Sequence, residues 1–559
     1  MFVQLLFLSS LFQPALAFGV GSWTTLHPEG DTSEQEVDLL FDLPLPKAIY
    51  QSLHQPPNPQ HKPDLQRWSK AGTEAQQKEN AASVKDLFSA AYFFTAATHV
   101  NPQSSQSWHD LASSLSALAS GFPPQSALIL LCESKYAALL SAQLSATLSD
   151  FNPDPQTKLR VNLVTTVSKR LETYNNDFPL LCEGLPGGKQ QSMLTHAIQL
   201  EQEGQHLEAT RLLCRSESAT SIGRTTPEIN RGVLTAASSR RIFTTARICG
   251  VLRLIQAVDV PVLKAVKEAV DEHWRAKETE IQATIAQRRL TNKTMYFESE
   301  EVAMRGDQRR FELQLTAVDP YTDPALTNAP FLSYVLKLVT ADHDLELDTF
   351  SYVQSLPGSV HQPWHVDVNT LFHRDDAAND GDLASEMTWQ QHTSPFGMVA
   401  VVPVIDVDAT LGPTEFITGS HLLPLGKESY WKQVARTSLA NQMDVTPRLS
   451  YQTTVGDVVL MDLRLMHRGT PNLSALNQAR SILYMSFVKR WYQDPLNFKR
   501  SQSIGFDQLK DRALKSLFTR IDSRTYIKHL ERFIEDQLGV NVLKEMKSHG
   551  NYVQRDLRL

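Results

Sequence analysis

Between residues 330 and 490 the chain alternates short apolar runs with turn-forming residues. "FLSYVLKLV", "LELDTFSYVQSL", "MVAVVPVIDVD", "GDVVLMDLRLM" and "SILYMSFVKRW" are rich in Val, Leu and Tyr, and partly alternate in polarity. Gly, Pro and Asp bound them, so each reads as a strand. Antiparallel strands joined by long connections predict a sandwich or jelly roll.

Upstream the pattern is different. Residues 66–235 are helical in character, with Ala-rich stretches such as "SVKDLFSAAYFFTAATHVNP". The spacing of Ala90, Phe94, Ala97, Pro102, Trp108 and Leu111 resembles the junction between two tetratricopeptide repeats. Those are 34-residue helix pairs that place small residues where helices cross. "LEQEGQHLEATRLL" has the same look around Gly204 and Ala209. Two or three degenerate repeats are expected, with an ordinary helical bundle as the competing reading. "ICGVLRLIQAVDVPVLKAVKEAVDEHW" reads as a strand, a turn at Asp259-Val260-Pro261, and an amphipathic helix. The fold class expected is therefore multidomain. An all-α, tetratricopeptide-like region at 66–235 precedes an α+β domain of jelly-roll type at 240–500, and a helical segment follows at 501–559.

The ends and the composition bound where such a chain works. "MFVQLLFLSSLFQPALAFG" has an apolar run, Pro14, and the small-x-small sequence Ala15-Leu16-Ala17, so residues 1–17 read as an export signal peptide. The expected location is the secretory pathway, secreted or in the lumen of the endoplasmic reticulum. A plastid reached by bipartite targeting is the alternative. Residues 18–65 are acidic, then Pro-rich, as in a linker or surface arm. No later stretch reads as the roughly 18 apolar residues of a membrane span. A formal charge of -7 gives nucleic-acid binding no electrostatic support. Cys132, Cys182, Cys214 and Cys249 form no Cys-x-x-Cys, which argues against a zinc ribbon. Export would permit disulfides among them, in any of three connectivities. Sequons at Asn292 and Asn472 matter only on that route.

"HQPWHVDVNTLFHRDD", residues 361–376, holds His-x-Asp twice. With 17 histidines in the chain, about one such pair is expected by chance, so context must choose. His365-Val366-Asp367 lies in a strand candidate, where residues two apart share a face and converge. His373-Arg374-Asp375 opens a polar, Gly-containing run that reads as a loop together with Asp376, and loops preorganise ligands poorly. His467 ends the apolar strand "GDVVLMDLRLMHRGTPN", 100 residues after Asp367. Two His and one carboxylate make the facial triad suited to non-haem Fe(II), with open positions left over. Arg480 begins a strand 13 residues after His467 and could pair with a carboxylate through its planar fork. Arg468 competes for that role, but on an extended strand it points away from the face of His467.

In order, "LPGSVHQPWHVD", "GPTEFITGSH", "GDVVLMDLRLMHRGTPN" and "ARSILYMSFVKRWYQDPLNF" resemble the signatures of phytanoyl-CoA dioxygenase-like (PhyH) oxygenases. The resemblance covers about 240–500. It implies a double-stranded β-helix, Fe(II), 2-oxoglutarate as co-substrate and O2. It also implies His365, Asp367 and His467 as catalytic metal ligands and Arg480 as the 2-oxoglutarate anchor. The interval from His467 to Arg480 is slightly longer than the family's, which places a bulge at Leu476 to Gln478. Gly412, Thr414, Ser420 and His421 read as turn residues or supports of the site. Members act on small molecules and lipids. Helical repeats fused to an oxygenase also leave a peptide or protein substrate open. Two other readings stand beside this one. One is a repeat-based binding scaffold with an inactive or non-redox metal site. The other is a cupin-like site that recruits His361.

Overall fold

The protein is described here by a computed structural model that covers residues 84–492, with breaks of which the longest are 369–393 and 423–446. The expected signal at 1–17, the arm at 18–65 and the segment 501–559 lie outside the described residues, as do Asn292, His373, Asp375 and Asp376.

Helices Val84–Val100, Ser105–Ala119, Pro124–Leu148 and Pro155–Thr173 pack successively against one another. Ala90, Phe94, Ala97, Trp108 and Leu111 are all buried. Trp108 donates from Nε1 to the Pro102 carbonyl at 2.7 Å, a contact that fixes their six-residue spacing. Helices Gly188–Gln202 and His206–Leu213 follow and pack on Ala236–Cys249. Two disulfides, Cys132–Cys182 and Cys214–Cys249, select one of the three connectivities the sequence left open.

One helical stretch, Ala127–Ser145, is long and apolar enough to cross a membrane by length and composition, contrary to the sequence expectation. Its window is 61% buried within the protein, against its helical neighbours and helix Ala236–Cys249. Core packing therefore accounts for its apolar character here.

Twelve strands are described: β1 (Ser221–Ile222), β2 (Val251–Leu254), β3 (Met295–Tyr296), β4 (Val302–Met304), β5 (Arg310–Gln314), β6 (Leu345–Ser355), β7 (Gly397–Pro403), β8 (Thr414–Ile417), β9 (Arg448–Ser450), β10 (Val458–Asp462), β11 (His467–Gly469) and β12 (Arg480–Lys489). They form a nine-stranded sheet, β1-β2-β10-β7-β12-β6-β5-β4-β3, and a three-stranded sheet, β11-β8-β9. Every pairing except β1 with β2 is antiparallel. A core joins Val399, Val401, Val459, Met461 and Ile482 of the large sheet to Phe416 and Leu449 of the small one. This is the jelly-roll-like arrangement expected.

The run "FLSYVLKLV" is not a strand. It forms helix Pro330–Thr340, with Pro330 in its first turn, where a missing N–H costs nothing. The helix touches β7 on one side and helix Ala236–Cys249 on the other, where the Tyr334 and Ser239 hydroxyls meet at 2.8 Å. Ser333, Lys337 and Thr340 recur at i, i+4 and i+7, a helical spacing, but in so short and apolar a run that spacing is easily passed over for a strand.

Candidate metal centre

His365 and Asp367 do not sit on a full strand as expected. The segment after β6 is irregular, and within it only His365 forms a β-bridge, to His467 on β11. The two residues exchange both backbone bonds, His365 N–H to His467 O at 3.1 Å and the reverse at 2.9 Å. That single bridge is enough to impose strand parity locally. Trp364 and Val366 pack outward on Ile417 and Met466, while His365 and Asp367 face in with His467 and Phe416.

Each imidazole donates from Nδ1 to a carbonyl two residues earlier, His365 to Pro363 at 2.9 Å and His467 to Leu465 at 3.0 Å. A carbonyl only accepts, so each Nδ1 carries its proton and each Nε2 presents a lone pair. Asp367 Oδ1 lies 3.5 Å from His467 Nε2 and 4.0 Å from His365 Nε2. Among the described residues Asp367 takes part in no hydrogen bond. One ligand atom from each of the three residues falls within 4.8 Å of the others. Desolvation, then the neighbouring His467 ring, pushes His365 down to about 4, so it is neutral and free to ligate at neutral pH. Two neutral nitrogens and one unengaged carboxylate suit a divalent transition ion. His361 is exposed and lies outside this group.

Arg480 opens β12, and residues 480, 482 and 484 share one face. Its guanidinium is 2% exposed and donates to Gly412 O and, at 3.1 Å, to Ser355 Oγ. Its Nε has no partner, and no carboxylate pairs with it among the described residues. Burial pushes Arg480 down to about 10, the cost of a buried cation without an anion. It lines a cavity with Val401, Phe416, Thr414, Tyr451 and Ile482, between the two sheets.

Across β6, Arg310 is also buried and donates from Nε to the same Ser355 Oγ at 3.0 Å. Both arginines stand opposite Ser355 in register, one on each flanking strand. Tyr484 reaches Thr414 Oγ1 at 3.5 Å; burial raises its phenol and the Arg480 charge lowers it. Arg310, Ser355 and Tyr484 escaped the sequence reading because none sits in a spaced motif; only the register of β5, β6 and β12 brings them to Arg480. Arg468 lies on the outer face, held by Glu415 at 2.7 Å and stacked 4.4 Å over Trp364.

The stretch between His467 and Arg480 is ordered by Asn472. Its side-chain amide donates to Ser355 O and Gln478 O, both at 2.8 Å, and Asn477 adopts a φ of 54°. Asn472 is fully buried, so the folded chain offers no glycan acceptor at that sequon.

Residues 250–480 match the family model described as phytanoyl-CoA dioxygenase (PhyH). Similar solved structures include the non-haem α-ketoglutarate-dependent epimerase SnoN from nogalamycin biosynthesis, at 14% identity, covering 45% of this chain and 84% of that one, TM-score 0.29. HygX from Streptomyces hygroscopicus, with nickel, 2-oxoglutarate and hygromycin B bound, is 16% identical over 44% of this chain and 85% of its own, TM-score 0.30. EvdMO1 is 17% identical over 45% and 50%, TM-score 0.31. Likenesses at that level assign no role to any residue here. Residues 250–480, under half of the chain, are thus similar to the phytanoyl-CoA dioxygenase (PhyH) family.

Proposed function

We propose that this chain is an Fe(II)- and 2-oxoglutarate-dependent dioxygenase that hydroxylates an organic substrate and releases succinate and CO2. One atom of O2 goes to the substrate C–H bond and the other to succinate. The observation that carries this is the convergence of His365, Asp367 and His467 within 4.8 Å, with both Nε2 atoms available. Iron held by these residues supplies the redox chemistry that couples O2 reduction to the oxidation of both carbon substrates. The residues themselves do the rest. The Pro363 and Leu465 carbonyls fix the imidazole orientations. Arg480, buried without a carboxylate, takes the distal carboxylate of 2-oxoglutarate, with Thr414 and Tyr484 beside it. The apolar walls around Arg480 keep water from the bound acid.

The substrate proposed is a small molecule or lipid, or a peptide presented by a tetratricopeptide-like region at 66–235. The location proposed is the lumen of the secretory pathway, which two disulfides suit. The test is anaerobic addition of Fe(II) and 2-oxoglutarate to the purified chain. A visible metal-to-ligand charge-transfer band is expected in the wild type and absent in His467→Ala. A wild type without the band, or a variant that keeps it, refutes the reading.

A further inference from the structure

We infer that Ser420 is a positioning residue for the metal site, and that the helical region sets the orientation of His467 through it and through the Cys214–Cys249 disulfide. The inference rests on the reading of His467 as a ligand.

His467 is aimed by the carbonyl of Leu465, so whatever fixes residues 462–466 fixes the ligand. Two routes of contact reach that turn, and both start at the end of helix Ala236–Cys249. In the first, Gly250 accepts from Asp462 N–H at 2.8 Å. Gly250 has a φ of 71°, and a Cβ there would fall 2.7 Å from Leu465 Cδ1 and 2.4 Å from His421 Nδ1. Only glycine lets the helix end, the Leu465 side chain and the His421 ring close on one point. In the second, the Arg247 carbonyl accepts from His421 Nε2 at 2.9 Å, and the Cys249 carbonyl accepts from Gly419 N–H at 3.0 Å. Between them Ser420 Oγ accepts from Met466 N–H at 2.8 Å, one residue before the ligand. Ile417 N–H, on the same hairpin, donates to the Met466 carbonyl at 2.9 Å.

The helix end is itself pinned. Cys249 is bonded to Cys214, in a cluster with Leu194, Ala197, Leu213 and Ile248. Gly419 comes so close to Thr210 that a Cβ would lie 2.7 Å from its Oγ1. Both cysteines are fully buried, which makes the disulfide a fixed staple. The turn that carries Ser420 is therefore wedged between helices His206–Leu213 and Ala236–Cys249. Losing the Ser420 acceptor strands the buried Met466 N–H, which recovers a partner only by moving the turn that aims His467.

The test is equilibrium Ni(II) binding to the full chain, with circular dichroism and thermal unfolding recorded for every variant. Wild type binds one Ni(II) that Asp367→Ala does not. Ser420→Ala weakens it about tenfold, the lower end of what partners of metal ligands contribute. Ser420→Thr keeps the hydroxyl and stays within about threefold of wild type. The double variant Cys214→Ala/Cys249→Ala weakens binding to a similar degree; should it not fold, the two Ser420 variants decide alone. Tyr334→Phe, which removes a buried hydrogen bond to the same helix far from this turn, leaves Ni(II) affinity unchanged. Wild type that binds no Ni(II), or Asp367→Ala that binds like wild type, ends the ligand reading and not merely this inference. If wild type binds and Ser420→Ala matches it, or if Tyr334→Phe loses as much as Ser420→Ala, the positioning role is overturned.

Discussion

His365 and His467 offer the same atom to the same point, with ring centroids 4.5 Å apart, yet their backbones are held in different ways. His467 stands on a three-residue strand between its neighbour β8 and the bridge to His365, and its turn is tied to a helix end outside the sheets. The His467 side chain is 4% exposed. His365 belongs to an irregular segment, and its side chain is 37% exposed. That segment is held mainly by β11 itself, through the bridge and through Gln362, whose N–H and side-chain oxygen both bond Gly469. Support is therefore unequal: His467 has β8 and its tied turn besides the bridge both histidines share, so a disturbance of residues 462–466 reaches both, whereas one at 361–363 falls mainly on His365.

The largest expected effect abolishes the comparison. His365→Ala and His467→Ala each remove a ligand, and each lowers Ni(II) affinity by at least about 100-fold, beyond what an outer partner contributes. Equal losses in the two are expected, because the metal sees the ligands and not their scaffolds.

Arg480→Leu comes next and separates the metal from its co-substrate. Arg480 stands on β12 and donates to Ser355 Oγ and Gly412 O, none of them within the segments that carry the histidines. The half-saturating concentration of 2-oxoglutarate rises about 10- to 100-fold, the worth of a charge-assisted hydrogen bond of about 1.5–3 kcal/mol. Ni(II) affinity without 2-oxoglutarate stays within about twofold. An equal loss in both measurements would mean that Arg480 shapes the metal site itself. Thermal stability should not fall, since the leucine relieves a buried, anion-free cation.

Gln362→Ala sharpens the asymmetry. It removes one acceptor from Gly469 N–H and leaves the backbone bond from Gln362 N–H to Gly469 O. The expected loss of Ni(II) affinity is about threefold, below that of Ser420→Ala, because one contact of the His365 segment goes while the turn before His467 is untouched. A larger loss in Gln362→Ala than in Ser420→Ala would reverse the inequality of support argued above.

The same difference governs what could be read from sequence. The parity of His365 and Asp367 is a property of extended backbone, so alternation alone exposed it, although a bridge stands where a longer strand was expected. Arg480 was legible because it opens an apolar strand; His467 was picked out as the end of one, but that strand stops at Asp462 and His467 opens the separate strand β11 after a turn. The supports of His467 were not legible. Ser420, Gly250 and Cys249 act through contacts 46 (Ser420 to Met466), 212 (Gly250 to Asp462) and 170 (Cys249 to Gly419) residues apart in the chain, and no local period records such distances. Ser355 and Arg310 are invisible for the same reason, since strand order, not spacing, makes them neighbours of Arg480. Helix Pro330–Thr340 was misread because its run is short and rich in Val, Leu and aromatic residues, which outweighed the helical spacing of Ser333, Lys337 and Thr340.

The smallest effect enters at the other end of helix Ala236–Cys249. Glu133 accepts from Ala236 N–H at 3.1 Å, beside Glu228, which accepts from Thr225 and Thr235. Burial, then the charge of Glu228, lifts Glu133 to about 7. A carboxyl raised in the folded state holds a proton that the unfolded chain releases. Its contribution to stability is therefore greatest below about pH 4.5, declines as pH rises to about 7, and is flat above. Part of the Glu133 surface remains open, so the decline attributable to it is about 2 kcal/mol. Glu133→Gln keeps the acceptor for Ala236 and has no proton to lose. Urea unfolding at pH 5 and pH 7.5 should therefore show a smaller drop in the variant than in wild type. Ni(II) affinity at pH 7.5 should match wild type within about twofold, because the staple at Cys214–Cys249 lies between this end of the helix and His467. A variant that unfolds with the wild-type pH dependence removes Glu133 as its source. One that binds Ni(II) several-fold more weakly shows that the whole helix, and not its stapled end alone, carries the support of His467.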